Sequence, residues 1–126
     1  MTKQDKELLL KDLCARLPYH PIIQIYNDCW EGCKIGEFDN TMGYHHVEAF
    51  LCDRIEILPY LRPMSSMTEE EDKQFALLQT ESCESGYLYV ANASNLIDFC
   101  NKRHLDFRGL IEKGLALEAP EGMYKF

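Results

Sequence analysis

Residues 1–17 show the spacing of apolar positions that an amphipathic helix requires. Leucine and cysteine recur every three or four residues, which places them on one side of a helix. The apolar positions are Leu9, Leu10, Leu13, Cys14 and Leu17. Thr2 suits the N-cap, and Pro18 should end the helix because it has no N–H to donate and restricts the residue before it. The pattern therefore predicts an N-terminal helix.

After Pro18 the pattern becomes one of short strands separated by turns. Four stretches are rich in β-branched and aromatic residues: "PIIQIY" at 21–26, "CWEGCKIGEF" at 29–38, "YHHVEAFL" at 44–51 and "RIEILPYL" at 54–61. The segments "ND" at 27–28 and "DNTMG" at 39–43 are typical of turns. Consecutive strands usually pair with their neighbours, and Gly32 and Gly36 favour a bend within the second strand. We expect a curled antiparallel meander of four strands that resembles a small barrel, or five if "YLYVA" at 87–91 joins it.

The stretch "LPYLRPMSSMTEEE" at 58–71 should connect the last of these strands to a helix. Pro59 and Pro63 each remove a ladder donor, so they indicate a strand end or a sheet edge. Thr68 followed by Glu71 has the spacing of a capping box, in which each side chain accepts a hydrogen bond from the other residue's backbone amide. The acidic residues 69–71 also suit the first turn of a helix, where the dipole favours negative charge. We expect the helix to run from Glu69 to about Thr80.

The C-terminal part predicts further helical structure. Ser94 suits the N-cap of a helix over 95–104, and Asp106 can cap a short turn that ends at Gly114, a residue suited to a left-handed conformation. We therefore expect an α+β fold with an N-terminal helix, the curled antiparallel meander and C-terminal helices packed on it. Residues 1–126 are expected to form a single domain, because a chain of this length can bury one hydrophobic core.

The net charge of −8 narrows the classes of partner. Residues 21–85 contain 13 acidic and four basic residues, so the net negative charge of the chain lies there. Such a region repels a phosphate backbone, so a nucleic-acid partner is not expected. No apolar run approaches the ~20 residues of a membrane helix, and residues 1–17 do not resemble a signal peptide. We expect a cytoplasmic protein without a membrane partner, whose cysteines stay reduced and mostly fill the interior.

One group of residues suggests a metal site. It consists of Cys29, Cys33, His45, His46 and Cys52. Zinc takes four Cys or His ligands, usually as two close pairs. On a strand, however, residues 29 and 33 would lie about 13 Å apart, and adjacent histidines would point to opposite faces. We expect no metal, although a bend at Gly32 would leave the question open.

Candidate nucleophiles and acid–base groups are numerous but lack a motif. Six cysteines and four histidines allow many Cys–His pairs, and none has a recognisable nucleophile signature around it. The chain also lacks both common forms of the glycine-rich phosphate loop. We therefore expect no catalytic residues, no cofactor-binding residues and no enzymatic activity.

A contact surface is the remaining functional hypothesis. Trp30 lies in a predicted hairpin with Tyr26, Phe38 and Tyr44 nearby, and Trp and Tyr are common at interface hot spots. The same rings could instead pack in the core. The locally basic group comprises Lys102, Arg103, His104 and Arg108. It could contact a phosphate or an acidic partner, or it could be a solvated helix end, where cations suit the dipole.

Three stretches resemble a known group of proteins. They are "KDLCARLPY" at 11–19, "LPYLRPMSSMTEEE" at 58–71 and "HLDFRGLIEKGLALEAPEGMY" at 104–124, together roughly a third of the chain. These stretches are similar to small uncharacterised proteins encoded by bacteriophages and prophages of gut Bacteroidales. The resemblance implies a phage or prophage origin and brings no activity with it.

These observations together lead to one expected function and two alternatives. We expect a non-enzymatic phage or prophage accessory protein that binds a host or phage protein in the cytoplasm of a bacterial host. One alternative is a nucleic-acid-associated small barrel that uses the basic group. The other is an acidic mimic of nucleic acid, which would need the acids of residues 21–85 to cluster on one face.

Overall fold

The computed structural model describes residues 1–27, 32–39, 44–84, 87–88 and 90–125. The helices in this part of the chain are α1 (Lys3–Arg16), α2 (Tyr44–Leu51), α3 (Glu69–Ser82) and α4 (Val90–Lys102). The strands are β1 (Ile22–Asn27), β2 (Cys33–Glu37), β3 (Ile55–Leu61), β4 (Cys83–Glu84), β5 (Tyr87–Leu88) and β6 (Leu117–Glu118). Short 3₁₀ turns follow α1 at Leu17–Tyr19 and β3 at Met64–Ser66.

Four of the strands form one mixed sheet in the order β2-β1-β3-β6. Strand β1 is antiparallel to both β2 and β3, whereas β6 runs parallel to β3. Among the described strands, β4 and β5 pair only with each other. The α+β class and the N-terminal helix are confirmed. The four-stranded sheet is open, with one parallel edge, so it is neither a closed small barrel nor an antiparallel meander.

The prediction of a strand at 44–51 is wrong, because these residues form α2. Tyr44, Val47 and Phe50 recur every third residue, a spacing that also suits a helix, and short apolar segments are ambiguous between the two structures. The consequence is topological. Since α2 connects β2 to β3, β3 does not extend the hairpin beyond β2 and instead pairs with the free side of β1.

Local capping signals placed the starts of α1 and α3 correctly, whereas Ser94, predicted as an N-cap, lies inside α4. In α1, the Asp5 amide donates to Thr2 Oγ1 at 3.0 Å and Asp5 accepts from the Thr2 amide, which completes a capping box. In α3, the Glu71 amide donates to Thr68 Oγ1 at 3.2 Å, and the Thr68 amide donates to Glu71 Oε1 at 3.0 Å. Each box supplies acceptors for amides that have no partner within the helix. The prediction for α3 is therefore confirmed.

The C-terminal region follows the prediction in part. Helix α4 begins at Val90 rather than at residue 95, so the predicted strand over 87–91 is reduced to the two residues of β5. The Asp106 carboxylate accepts from the amides of Leu110 and Ile111 at 2.8 and 2.9 Å, as expected of a cap. Gly114 has a φ of +72°, the left-handed conformation that its position after the turn requires.

The hydrophobic core lies between α1, one face of the sheet and the C-terminal segment. Its buried members include Leu9, Leu13, Ile23, Phe38, Phe50, Ile57, Leu61, Leu110 and Leu115. The cysteines contribute less than expected: Cys100 is buried, but Cys14, Cys33 and Cys52 are exposed, so the prediction of mostly interior thiols is wrong for these three. No helix in the described part of the chain is both long enough and apolar enough to span a membrane.

Candidate functional site

One face of the sheet packs on the core and the other is turned outward. Ile23, Ile57 and Leu61 point inward and are buried. Because side chains alternate along a strand, the residues between them lie on the opposite side. We call this opposite side of β1, β2 and β3 the outer face. It consists of Ile22, Gln24, Tyr26, Cys33, Ile35, Glu37, Glu56, Leu58 and Tyr60.

The outer face has exposed apolar side chains. Ile35 is 63% exposed and Tyr26 is 41% exposed, although most large apolar side chains prefer burial. The strand register places Ile35 beside Gln24 and Gln24 beside Leu58, which is half-buried. A shallow depression of about 290 Å³ opens on this face, with Tyr26 and Leu58 in its wall. The outer face therefore offers an apolar surface with a concave part.

Side-chain hydrogen bonds tie the three strands together across the outer face. The Tyr60 hydroxyl donates to Gln24 Oε1 at 3.1 Å, and Gln24 Nε2 donates to Cys33 Sγ at 3.3 Å. Gln24 on the central strand thus links a residue of β3 to a residue of β2. A surface whose side chains are already fixed loses less conformational entropy when it binds a partner.

The charged residues of the outer face are acidic. Glu37 lies at one end, across from Ile22, and Glu56 lies at the other end, across from Tyr26. Both side chains are exposed. His20 Nδ1 is 3.8 Å from the Glu37 carboxylate, at the long end of ion-pair distances and in an exposed position. The outer face is therefore apolar in the middle and negative at both ends.

The predicted aromatic contact residues have different environments. Tyr26 lies on the outer face, as a contact residue should. Phe38 is only 6% exposed and belongs to the core, so it has no surface to offer a partner and its proposed contact role must be corrected. Trp30 lies outside the described residues. Tyr44 is the first residue of α2, and its side chain is likewise outside the description.

A second cluster forms where the three stretches 11–19, 58–71 and 104–124 meet; we call it the junction. Asp12 accepts two hydrogen bonds there, from Arg16 Nε at 2.9 Å and from Arg108 Nη1 at 2.6 Å. Arg16 also donates to the Leu105 carbonyl at 2.7 Å. The side chains of Asp12 and Arg16 are completely buried. The junction therefore joins α1 to the C-terminal segment by ion pairs and a hydrogen bond between charged and backbone groups.

The second ion pair of the junction lies at the start of α3. Arg62 makes two hydrogen bonds to the Glu71 carboxylate, at 2.9 and 2.7 Å. These bonds, opposed by burial and helped by the Thr68 amide, lower the pKa of Glu71 to about 2. The Arg62 backbone donates to the His104 carbonyl and accepts from the Asp106 amide, so the end of β3 also holds the C-terminal segment.

Tyr124 closes the junction from the C-terminal side. Its hydroxyl accepts from the Ile22 amide at 2.8 Å and donates to the Tyr60 carbonyl at 2.6 Å. Its ring stacks on His104 with the centroids 3.9 Å apart. Burial raises the pKa of Tyr124 to about 12, and burial together with nearby arginines lowers the pKa of His104 to about 4. Both groups are therefore neutral at physiological pH.

The predicted basic group does not form one surface. Lys102 is exposed, and Arg103 is half-buried with its guanidinium 6.0 Å from the centre of the Phe99 ring. His104 is buried and neutral, and Arg108 binds Asp12. Cations that already neutralise a protein carboxylate have less to offer a phosphate. The fold therefore uses part of the basic group for its own stability.

The proposed metal ligands are only partly described. Cys29 lies outside the described residues, and so do the side chains of His45 and His46. Cys33 lies on β2 and Cys52 follows α2, and both are exposed. Among the residues whose side chains the structure describes, no group of three or more His, Cys, Asp or Glu residues could hold a metal ion.

Sequence reasoning overlooked Asp12 and Arg16 although a signal for them existed. The two residues are in phase with Leu9 and Leu13 on α1, since Asp12 is three residues after Leu9 and Arg16 is three after Leu13. A charged pair with this spacing inside an apolar stripe indicates that both partners are buried together. Cys14, which seemed to continue the stripe, is exposed instead. Ile35 was also overlooked, because nothing local distinguishes an exposed strand position from a buried one.

The two arrangements differ in what they can offer to another molecule. The junction satisfies most of its charged groups internally, whereas the outer face presents apolar and acidic side chains to the outside. Comparison with known proteins finds no matching family model, no similar curated protein and no similar solved structure.

Proposed function

We propose that this is a non-enzymatic accessory protein of phage or prophage origin that acts by binding a host or phage protein through the outer face. The single observation that carries the proposal is the 63% exposure of Ile35 on a face that also holds Tyr26 and Leu58. Scattered apolar residues are normal on a protein surface, but several apolar side chains on one face of a sheet are typical of interaction sites.

The energetics of the outer face suit a contact of this kind. Covering an exposed isoleucine such as Ile35 contributes about 1–2 kcal/mol, because apolar area is removed from water. Tyr26 can add both a large contact area and a polar hydroxyl, which is why tyrosine is frequent at interface hot spots. The hydrogen bonds of Gln24 support the proposal further, since they hold the face in one arrangement before a partner arrives.

The proposed phage origin is supported by the resemblance of the three stretches. These stretches meet at the junction, whereas most of the outer face comes from residues 22–37 and 56, which lie outside them.

The nucleic-acid alternatives have weaker support from the distribution of charge. The charged residues of the outer face, Glu37 and Glu56, would repel a phosphate backbone. A mimic of nucleic acid would need its acids available, but Glu71 is buried and bound to Arg62. Protein binding through the outer face is therefore the function that we propose.

The test compares two substitutions of exposed apolar residues. Tagged wild-type protein, Ile35→Asp and Leu77→Asp are used to capture partners from a Bacteroidales host, and the bound proteins are identified by mass spectrometry. Leu77 on α3 is 53% exposed and serves as the matched control, because it carries the same kind of change away from the outer face. We expect a partner that binds the wild type and Leu77→Asp and is lost with Ile35→Asp. A partner retained equally by all three would overturn the proposal, provided that circular dichroism shows each variant folded.

A further inference from the structure

The two edges of the four-stranded sheet differ in length and exposure. Strand β6 forms one edge and contains two residues, with Pro120 shortly after it. Strand β2 forms the other edge, and all five of its residues are exposed. Among the described strands, only β1 pairs with β2. The sheet therefore has one blunted edge and one edge long enough to accept another strand.

An exposed edge of this kind usually carries protective features. Proteins blunt their edges with very short strands, prolines, bulges or inward-pointing charges, because an open edge pairs readily with another chain. Strand β6 has the first of these features. Strand β2 has no proline and regular register with β1 over its whole length, and its central residue is Ile35. The one protective feature of β2 is Lys34, an exposed cation on the side of the sheet opposite the outer face.

The charge around β2 restricts what could pair with it. On the outer face, Ile35 is followed two residues later by Glu37, so an added strand would meet an apolar side chain and then a carboxylate. Its own residues on that side should therefore be apolar opposite Ile35 and cationic opposite Glu37. A second copy of this chain would bring another net charge of −8, which opposes its approach to this acidic protein, whereas a cationic segment is attracted.

Resting on the function proposed above, we infer that β2 binds an extended, cationic segment of the partner protein by strand addition. Backbone hydrogen bonds along the edge would supply affinity, and the side chains that face outward would supply selectivity. An apolar residue of the segment extends the outer face next to Ile35, and a lysine or arginine two residues away binds Glu37. The negative end at Glu56 and the overall charge attract the segment from a distance.

The inference is tested with a capped synthetic peptide, Thr-Lys-Thr-Val-Thr-Lys-Thr, added to isotopically labelled full-length protein. Amide chemical shifts are followed by two-dimensional NMR. We expect the largest chemical-shift changes at Cys33–Glu37. The dissociation constant should be at least about tenfold higher when both lysines of the peptide are replaced by glutamate. The variant Glu37→Gln should weaken binding by about two- to fivefold, whereas Glu69→Gln, an exposed acid on α3, should not.

A second peptide separates strand addition from simple charge attraction. The same sequence with every backbone amide N-methylated keeps its lysines but can donate no backbone hydrogen bonds, so it should produce no shifts along β2. Equal binding of the methylated peptide, or shifts located away from β2, would overturn the inference. Shifts at β2 that depend on protein concentration without any peptide would identify a second copy as the occupant and would overturn it too.

Failure of strand addition and failure of the proposed function give different experimental results. If Ile35→Asp abolishes partner capture while the peptide does not bind β2, the outer face is a binding surface and strand addition is refuted. If the peptide binds β2 and capture does not depend on Ile35, strand addition is supported and the proposed use of the outer face is refuted.

Discussion

Replacement of Asp12 by alanine is the substitution that should destabilise the fold most clearly. The Asp12 carboxylate is completely buried and accepts from Arg16 at 2.9 Å and from Arg108 at 2.6 Å. Arg16 is completely buried as well, so its positive charge cannot reach water when the carboxylate is removed. Arg108 is 16% exposed and has a route to solvent. The cost therefore falls mainly on Arg16.

The expected loss of unfolding free energy follows from the burial of Arg16. Removal of one partner from a buried ion pair costs about 3–5 kcal/mol, because the remaining charge stays in the interior without compensation. A domain has a free energy of unfolding of about 5–15 kcal/mol, so Asp12→Ala should remove a large part of it. For a chain of this length the midpoint of thermal unfolding should fall by about 10–20 °C.

The assay is urea unfolding followed by circular dichroism, with two comparison variants. Lys73→Ala removes an exposed ion pair on α3, in which the charged atoms of Lys73 and Glu69 are 3.6 Å apart, and should cost about 0.5 kcal/mol or less. The double variant Asp12→Leu with Arg16→Met removes both buried charges. It should recover much of the lost stability, since apolar groups of similar volume often replace a buried pair without loss.

Two results would refute this reasoning. The first is a loss of unfolding free energy for Asp12→Ala as small as that for Lys73→Ala, which would mean that Arg16 is hydrated in solution. The second is a double variant no more stable than Asp12→Ala, which would mean that the lost stability does not come from an uncompensated charge.

Two further predictions concern the other contacts of the junction. His104 has a pKa of about 4 in the fold against an ordinary 6.5, so its contribution to stability is complete above pH 6.5 and is lost as the pH falls towards 4. Glu71, with a pKa of about 2 against 4.5, loses its contribution between pH 4.5 and 2. The urea midpoint of unfolding should fall as the pH is lowered through each of these two ranges. For His104→Gln the fall between pH 6.5 and 4 should be smaller than for the wild type, and an equal fall would contradict the burial of His104. Tyr124→Phe leaves the Ile22 amide and the Tyr60 carbonyl without their partner and should cost about 1–3 kcal/mol. Hydrogen exchange of the Ile22 amide should accelerate, and exchange at the wild-type rate would count against this contact.

The features that were predictable from the sequence are those whose causes lie within a few residues. The capping boxes of α1 and α3 each join residues three apart, and the Asp106 cap reaches only four and five residues ahead. Such bonds depend on residue type and spacing, both of which the sequence contains. The spacing of apolar residues was misleading at 44–51. It is compatible both with a helix and with the strand that was predicted, and these residues form α2.

The candidate site was predictable only at Tyr26. Whether a strand residue faces the core or the outside depends on which strands pair, and β1 pairs with β3 across the residues of α2. That pairing places Gln24 between Tyr60 and Cys33 and leaves Ile35 exposed at the edge. The aromatic residues 26 and 38 looked equivalent in the sequence, yet the fold exposes one and buries the other.

By itself, the sequence determined the α+β class, the starts of two helices and the acidic character of the chain. The tertiary structure decided which charges are buried, because Asp12 acquires Arg108 as a partner from 96 residues away. It also decided which sheet edge is open, because β6 adds to β3 and leaves β2 without a second neighbour among the described strands. Both features depend on contacts between segments that are far apart in the sequence, and these contacts form only when the chain folds.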